Sequence, residues 1–157
     1  MPMRKERQHM DFGVLLGQAY QSFVQQLHAH LADHGHEVLG ASYGYVLRAL
    51  AESPRTASQL GEQLGITAQG AAKVVDEMVR HGYVERRPDP ADKRAKLLHL
   101  APRGEDMLRT VRDFHAAYEQ RLADRVGPAK VATARTVLGE ISDEATEPGR
   151  IRTLRPL

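Results

Sequence analysis

The sequence predicts a mainly α-helical protein with a small two-stranded β-hairpin. Apolar residues recur at the spacing of an amphipathic helix through most of the chain. Between two such segments, residues 83–87 and 95–100 are short runs of strand type. The loop that joins them holds Pro88 and Pro90, so it is longer than a two-residue hairpin turn.

Helices are predicted on both sides of the hairpin. The first covers 12–31, a break follows at 33–36, and a second helix runs from about 38 to 52. After the hairpin, Pro102 suits the first turn of a long helix, and a last helix covers 129–145. The apolar face of the first helix consists of Leu15, Leu16, Ala19, Phe23, Val24, Leu27 and Leu31.

The bulk composition indicates a soluble single domain. The chain has 157 residues, of which 41% are hydrophobic and 27% are charged. It has no cysteine, which excludes disulfides, Cys-ligated metals and thiol redox switches. We find no apolar run long enough for a signal peptide or a transmembrane helix, so we expect a cytoplasmic protein. Because 22 Lys and Arg face 20 Asp and Glu, the position of the charges is more informative than their sum.

Residues 56–82 have the form of a helix-turn-helix. Thr56 and Gln59 match a capping box at the start of a short helix, and Gly65 suits the left-handed residue that ends it. Thr67 caps the next helix. Together with the hairpin behind it, this segment is a winged helix-turn-helix, which places its second helix in the major groove of DNA.

The second helix of this motif has an apolar and a polar face. The inward residues on a helical wheel are Ala71, Val74, Val75 and Met78, and the outward ones are Gln69, Lys73, Asp76 and Arg80. Gln69 can read adenine, Lys73 can read guanine or bind phosphate, and the N–H groups near Thr67 suit a phosphate oxygen. Asp76 repels phosphate, so we expect it to hold a neighbouring arginine. Gly70 either allows a close approach to DNA or to the first helix of the motif, or is a tolerated defect.

The hairpin carries a dense group of cations. Arg94 lies at its tip, where an arginine can enter a narrow minor groove. Other cations suit phosphates, which add affinity and salt dependence. They are Arg86, Arg87, Lys93 and Lys96. The alternative is a solvated charged hairpin in which Asp92 and Arg94 form a surface pair.

Residues 39–108 resemble the MarR family of transcriptional regulators. Residues 82–86, Gly-Tyr-Val-Glu-Arg, match the start of that family's wing. Residues 92–96 match its D-x-R-x-K motif, and residues 100–104 look like its L-T-x-x-G motif. The resemblance implies that Arg94 enters the minor groove and that Asp92 braces the wing.

The sequence departs from the family pattern at a few positions. Ala101 replaces the usual Thr cap, Ala72 stands where Thr or Ser is frequent, and Lys73 stands where Arg is common. These changes leave the fold and DNA binding as expectations, but they leave the operator sequence open.

The resemblance also implies a homodimer that binds a palindromic operator, more often as a repressor than as an activator. Residues 1–157 are then a single MarR-like domain, with 38–100 as the DNA-binding lobe and 10–32 and 101–146 as dimerisation helices. A small aromatic or anionic effector is expected to relieve repression. The alternative for the terminal helices is that they only cover the monomer's own core.

Two side-chain groups are candidates for sensing a signal. Three tyrosines either line a ligand pocket or simply pack, namely Tyr20, Tyr43 and Tyr45. His30 and His34 have the i, i+4 spacing of a helical pair that binds zinc when a third ligand joins. With His28 and His36 nearby, the cluster is also a candidate pH sensor, or it is a polar helix end.

Other classes of function have weaker support. We find no phosphate-binding loop, nucleophile elbow, zinc-protease motif or dinucleotide fingerprint, so we expect no enzyme activity and no cofactor. A winged helix that contacts protein often lacks a basic wing. The alternatives that remain are an architectural DNA-binding protein without a ligand, and a regulator that responds to metal or pH through residues 28–36.

Overall fold

The computed structural model describes residues 10–36 and 42–143, which belong to two compact units. The first unit contains one helix, α1 (Phe12–Asp33). It ends in a turn where the Gly35 N–H donates to the Ala32 carbonyl and Gly35 has a φ of 77°. The predicted break at 33–36 is therefore confirmed, and α1 extends slightly beyond its predicted end.

The second unit contains the hairpin and the remaining helices. In chain order these are α2 (Tyr43–Glu52), α3 (Ala57–Leu64), α4 (Ala68–Arg80), β1 (Val84–Pro88), β2 (Lys96–Leu100), α5 (Pro102–Val126) and α6 (Pro128–Asp143). The strands pair antiparallel, with Val84 opposite Leu100 and Pro88 opposite Lys96. The mainly α fold with a two-stranded wing is confirmed. The predicted start of the second helix and the predicted end of the last one lie outside the described residues.

The helix-turn-helix is built from the predicted local signals. The Thr56 hydroxyl accepts from the Gln59 N–H at 3.2 Å, and Gln59 Oε1 accepts from the Thr56 N–H at 2.9 Å. Gly65 ends α3 with φ 67° and ψ 27°, in the left-handed region. At Gly61 an added Cβ would lie 3.3 Å from the Cβ of Ala71. The two helices therefore approach closely at Gly61, a position for which no close contact was predicted.

The core of the second unit is formed by large apolar side chains from its helices and its hairpin. The largest ones that are fully buried are Tyr43, Val46, Leu47, Leu60, Val75, Met78, Tyr83 and Leu98. Of the predicted inward face of α4, Ala71, Val75 and Met78 are buried. Val74 is only half-buried, so the apolar face is narrower than predicted.

Arg55 forms an isolated antiparallel bridge with Leu98 of β2. The Leu98 N–H donates to the Arg55 carbonyl at 2.7 Å, and the Arg55 N–H donates to the Leu98 carbonyl at 3.3 Å. No strand pairing was predicted for residues 53–55. This bridge ties β2 to the segment that leads into α3.

The start of α5 is in close contact with the residue before β1. The Ala101 N–H donates to the Tyr83 carbonyl at 3.1 Å, and Ala101 supplies no side-chain cap, as its identity predicts. A Cβ on Gly104 would overlap that same Tyr83 carbonyl oxygen and lie 3.4 Å from Leu47 Cδ2. Only glycine fits here without a shift of the backbone.

We expect Gly104→Ala to lower the free energy of unfolding by about 3 kcal/mol, because the added methyl group meets a backbone atom that cannot rotate away. Gly44→Ala in α2 is the control, since an added Cβ there meets no described atom within 4 Å. Urea unfolding followed by circular dichroism measures both. Equal stability of the two variants would show that α5 does not begin against Tyr83.

Candidate nucleic-acid interface

The outward face of α4 is polar and exposed, as the helical wheel predicts. Gln69, Lys73, Asp76 and Arg80 are all exposed. Thr67 precedes the helix in extended conformation, and its hydroxyl accepts from the Gly70 N–H at 3.0 Å. This cap fixes the first turn of α4, where the positive end of the helix dipole lies.

Gly70 lies in that first turn and is half-buried. An added Cβ would meet only the Thr67 hydroxyl oxygen, at 3.1 Å. The close approach to the first helix of the motif therefore occurs at Gly61 and not at Gly70. What Gly70 does locally is to leave the capping hydrogen bond uncrowded.

Two of the wing arginines are paired within the protein. Arg86 on β1 forms an ion pair with Asp76 on α4, which is the kind of partner that the sequence predicted for Asp76. Arg87 pairs with Glu85 on the same strand. Exposed pairs of this kind contribute little stability. The first of them links the wing directly to α4, whereas the second joins two residues of β1.

The tip of the wing is held by hydrogen bonds from backbone N–H groups, two of them to aspartate side chains. Asp92 Oδ1 accepts from the Arg94 N–H at 2.9 Å, and the Asp92 carbonyl accepts from the Ala95 N–H at 2.9 Å. Asp89 Oδ1 accepts from the Ala91 N–H at 2.8 Å. Such turns order a loop without using its cationic side chains.

The cations at the wing tip face solvent. Lys93, Arg94 and Lys96 are exposed. Within residues 10–36 and 42–143, no ion pair or side-chain hydrogen bond engages the Arg94 guanidinium. The carboxylate of Asp92 holds the backbone of Arg94, which differs from the surface ion pair of the alternative interpretation. The tip therefore presents charge on an ordered backbone.

The three tyrosines suggested for a ligand pocket lie in different surroundings. Tyr43 is buried, and its hydroxyl donates to Glu77 Oε2 on α4 at 2.9 Å. Burial, together with that carboxylate, raises the pKa of Tyr43 well above its usual value. Tyr45 is exposed on α2, the helix that begins at Tyr43, and Tyr20 is exposed on α1 in the other unit. The alternative interpretation of these tyrosines was that they are packing residues, and the buried Tyr43 is one.

The histidine pair of α1 is close in space. The ring centroids of His30 and His34 are 4.3 Å apart, and His34 Nδ1 donates to the His30 carbonyl at 2.7 Å. His36 is buried. In the part of the chain that the structure describes, no group of three His, Cys, Asp or Glu is placed to hold a metal ion. The zinc hypothesis thus lacks a third ligand among those residues.

Two features of the second unit were missed at the sequence level. Arg103 Nη1 donates to the His81 carbonyl at 2.8 Å, and its guanidinium carbon lies 4.6 Å from the centroid of the Tyr83 ring. An open cavity of about 380 Å³ is lined by Arg48 and Glu52 of α2 and Arg112 of α5, with Ala51 beside them. No local pattern announces either feature, since each joins residues that are distant in the chain.

Comparison with known proteins identifies the fold and the family. A family model described as the MarR family matches residues 39–95, a range that ends at the wing tip. The chain belongs to the MarR family. An uncharacterized protein of Mycobacterium tuberculosis is 30% identical to it over 108 residues, which is 65% of this chain and 76% of that protein. MarR-family proteins are transcriptional regulators, so this one is a DNA-binding regulator and not an enzyme.

Solved MarR-family structures share the fold. The transcriptional repressor CouR, bound to a 23-mer DNA duplex, has a TM-score of 0.67 at 22% identity and covers 84% of this chain and 92% of its own. The reduced form of MarR from E. coli has a TM-score of 0.65 at 23% identity, with 84% and 96% covered. No helix in the described ranges is long and apolar enough to cross a membrane.

Proposed function

We propose that this MarR-family protein is a homodimeric repressor that binds a palindromic operator and leaves it when a small anionic compound binds. The observation that supports DNA contact most directly is the wing tip. Its backbone is held by Asp92, while the Arg94 guanidinium has no partner among the described residues. An ordered cation of this kind suits the minor groove, where the negative potential is strongest.

The remaining contacts follow from the position of each side chain. Gln69 and Lys73, exposed near the start of α4, would meet base edges in the major groove. Thr67 and Gly70 would bring the helix N-terminus to a phosphate. The residues proposed to bind phosphates are Arg80, Arg86, Arg87, Lys93 and Lys96.

We expect Arg94→Ala to weaken operator binding by about tenfold or more, because it removes a groove contact of about 1–3 kcal/mol. The change should not unfold the protein, since the side chain packs on no core residue. Fluorescence anisotropy with palindromic duplexes from the DNA upstream of its own gene, over a range of salt, measures this effect.

Arg109→Ala on α5 is the matched control, because Arg109 is exposed and pairs with Asp106. If Arg94→Ala binds as tightly as the wild-type protein at moderate salt, the assignment of the wing is wrong. Equal weak binding of the wild-type protein to operator and random DNA would instead support the architectural alternative.

Exposed apolar side chains support the dimer. They lie on α6 and α1 and are 36% to 61% exposed, namely Val137, Leu138, Ile141, Phe12, Val14 and Tyr20. Leu138 and Ile141 are three positions apart and so share a face of α6. A second copy that covers these residues would remove them from water, at roughly 1.5–3 kcal/mol for each large side chain fully buried.

We expect Leu138→Asp to convert the dimer into a monomer at micromolar concentration, because the charge would be buried at the interface. Glu140→Ala is the control on the same helix, since residue 140 lies about 200° around the helix from residue 138. Sedimentation velocity gives the mass of each. A Leu138→Asp variant that sediments like the wild-type dimer would contradict a role for α6 in dimerisation.

The cavity between α2 and α5 supports an anionic effector. Arg48 and Arg112 bring two positive charges to one opening, while the carboxylate of Glu52 is paired with Arg55 at 3.2 Å. Burial and the charge of Arg48 lower the pKa of nearby His115, which fits a locally positive field. A volume of about 380 Å³ suits a small carboxylate.

We expect benzoate, as the simplest aromatic carboxylate, to bind here and to weaken operator binding. Arg112→Ala should lower the affinity for benzoate about tenfold, since a hydrogen bond to a charged group is worth about 1.5–3 kcal/mol. Isothermal titration calorimetry measures this, with Arg109→Ala as the control. Equal benzoate affinity in the Arg112→Ala and wild-type proteins, or no effect of benzoate on DNA binding, would count against this site.

A further inference from the structure

Arg103 joins three parts of the DNA-binding unit. It lies in the first turn of α5 and donates to the carbonyl of His81, the residue that ends α4, at 2.8 Å. Its guanidinium carbon lies over the ring of Tyr83, 4.6 Å from the ring centroid, and Tyr83 is the residue immediately before β1. One side chain therefore contacts the end of the proposed recognition helix and the start of the wing.

The surroundings of Arg103 make this contact specific. The carbonyl end of α4 carries the negative end of the helix dipole, which favours a cation. Tyr83 is fully buried, so the packing around its ring holds the face on which the guanidinium lies. A planar guanidinium can lie flat on the ring and donate in its own plane, whereas a lysine ammonium is a compact, strongly hydrated charge that has no plane to stack on the ring.

We propose that Arg103 is a positioning residue that fixes the orientation of α4 and the wing relative to α5. This inference rests on the proposed function, because orientation matters when two copies of α4 must reach half-sites about one helical turn apart. Arg103 would act through His81 and Tyr83, without touching DNA.

The test uses a duplex that the full-length wild-type protein selects from a random pool, and a second duplex whose half-sites are one base pair further apart. The variants are Arg103→Gln and Arg103→Lys, with Arg109→Gln on the same helix as the control. Anisotropy titrations at several salt concentrations give the ratio of the two Kd values and the salt slope. Thermal melting of each variant shows that it is folded at the temperature used.

We expect Arg103→Gln to bind the selected duplex about fivefold to tenfold more weakly, since a cation–π contact and a hydrogen bond are lost. The wild-type preference for the correct spacing should fall by a similar factor, because a loosened α4 tolerates either spacing. Arg103→Lys should resemble Arg103→Gln, because its charge does not restore the stacked geometry. The salt slope should be unchanged, and Arg109→Gln should match the wild type.

Two results would overturn the inference. An unchanged spacing preference in folded Arg103→Gln would show that Arg103 does not position α4. A salt slope reduced by about 0.9, with weaker binding to random DNA, would make Arg103 a phosphate contact instead.

Hydrogen exchange at residues 79–84 provides a readout that needs no DNA. Faster exchange there in Arg103→Gln, but not in Arg109→Gln, supports the positioning role of Arg103. Unchanged exchange overturns it. If the wild-type protein selects no duplex, the proposed function fails, while the exchange measurement still decides whether Arg103 holds the end of α4.

Discussion

The contact between the first turn of α5 and the backbone of Tyr83 is the constraint on which the second unit, with its helix-turn-helix and wing, depends. Gly104 allows the two backbones to approach, and the Ala101 N–H bonds to the Tyr83 carbonyl at 3.1 Å. Tyr83 itself is fully buried beside the core of the unit. Because Tyr83 leads directly into β1, its position sets where the wing starts. The Asp76–Arg86 pair then needs only to fix the outer part of the wing against α4.

The cations of the interface divide by what they do in the free protein. Arg86 and Arg87 have carboxylate partners within the fold, while the Arg94 guanidinium has none among the described residues. Exposed ion pairs are weak, so exchanging Asp76 for a phosphate would cost Arg86 little. A wing arranged in this way is ordered before it meets DNA, which lowers the entropic cost of binding. Its outermost charge remains available for the groove.

The sequence predicted those features that depend on neighbours in the chain. The Thr56 and Thr67 caps and the Gly65 turn each involve residues within four positions, so their patterns are visible without a structure. The bridge between Arg55 and Leu98 and the contact of Arg103 with Tyr83 join distant segments, and neither has a local signature. The roles of the DNA-binding residues stay predictions, because they require the nucleic acid.

Tertiary packing also decided the role of Tyr43, which its residue type left open. Its hydroxyl donates to Glu77, so α2 is hydrogen-bonded to the last turn of α4, while Arg103 connects the residue after that turn to α5. The C-terminal end of α4 is therefore hydrogen-bonded to both helices that line the cavity of Arg48 and Arg112. If the proposed function holds, a ligand that changed the separation of α2 and α5 would move the two hydrogen-bond partners of this helix end relative to one another. Helix α4 would have to rotate or lose one of these hydrogen bonds. Either change would move the two recognition helices of a dimer out of register with the operator.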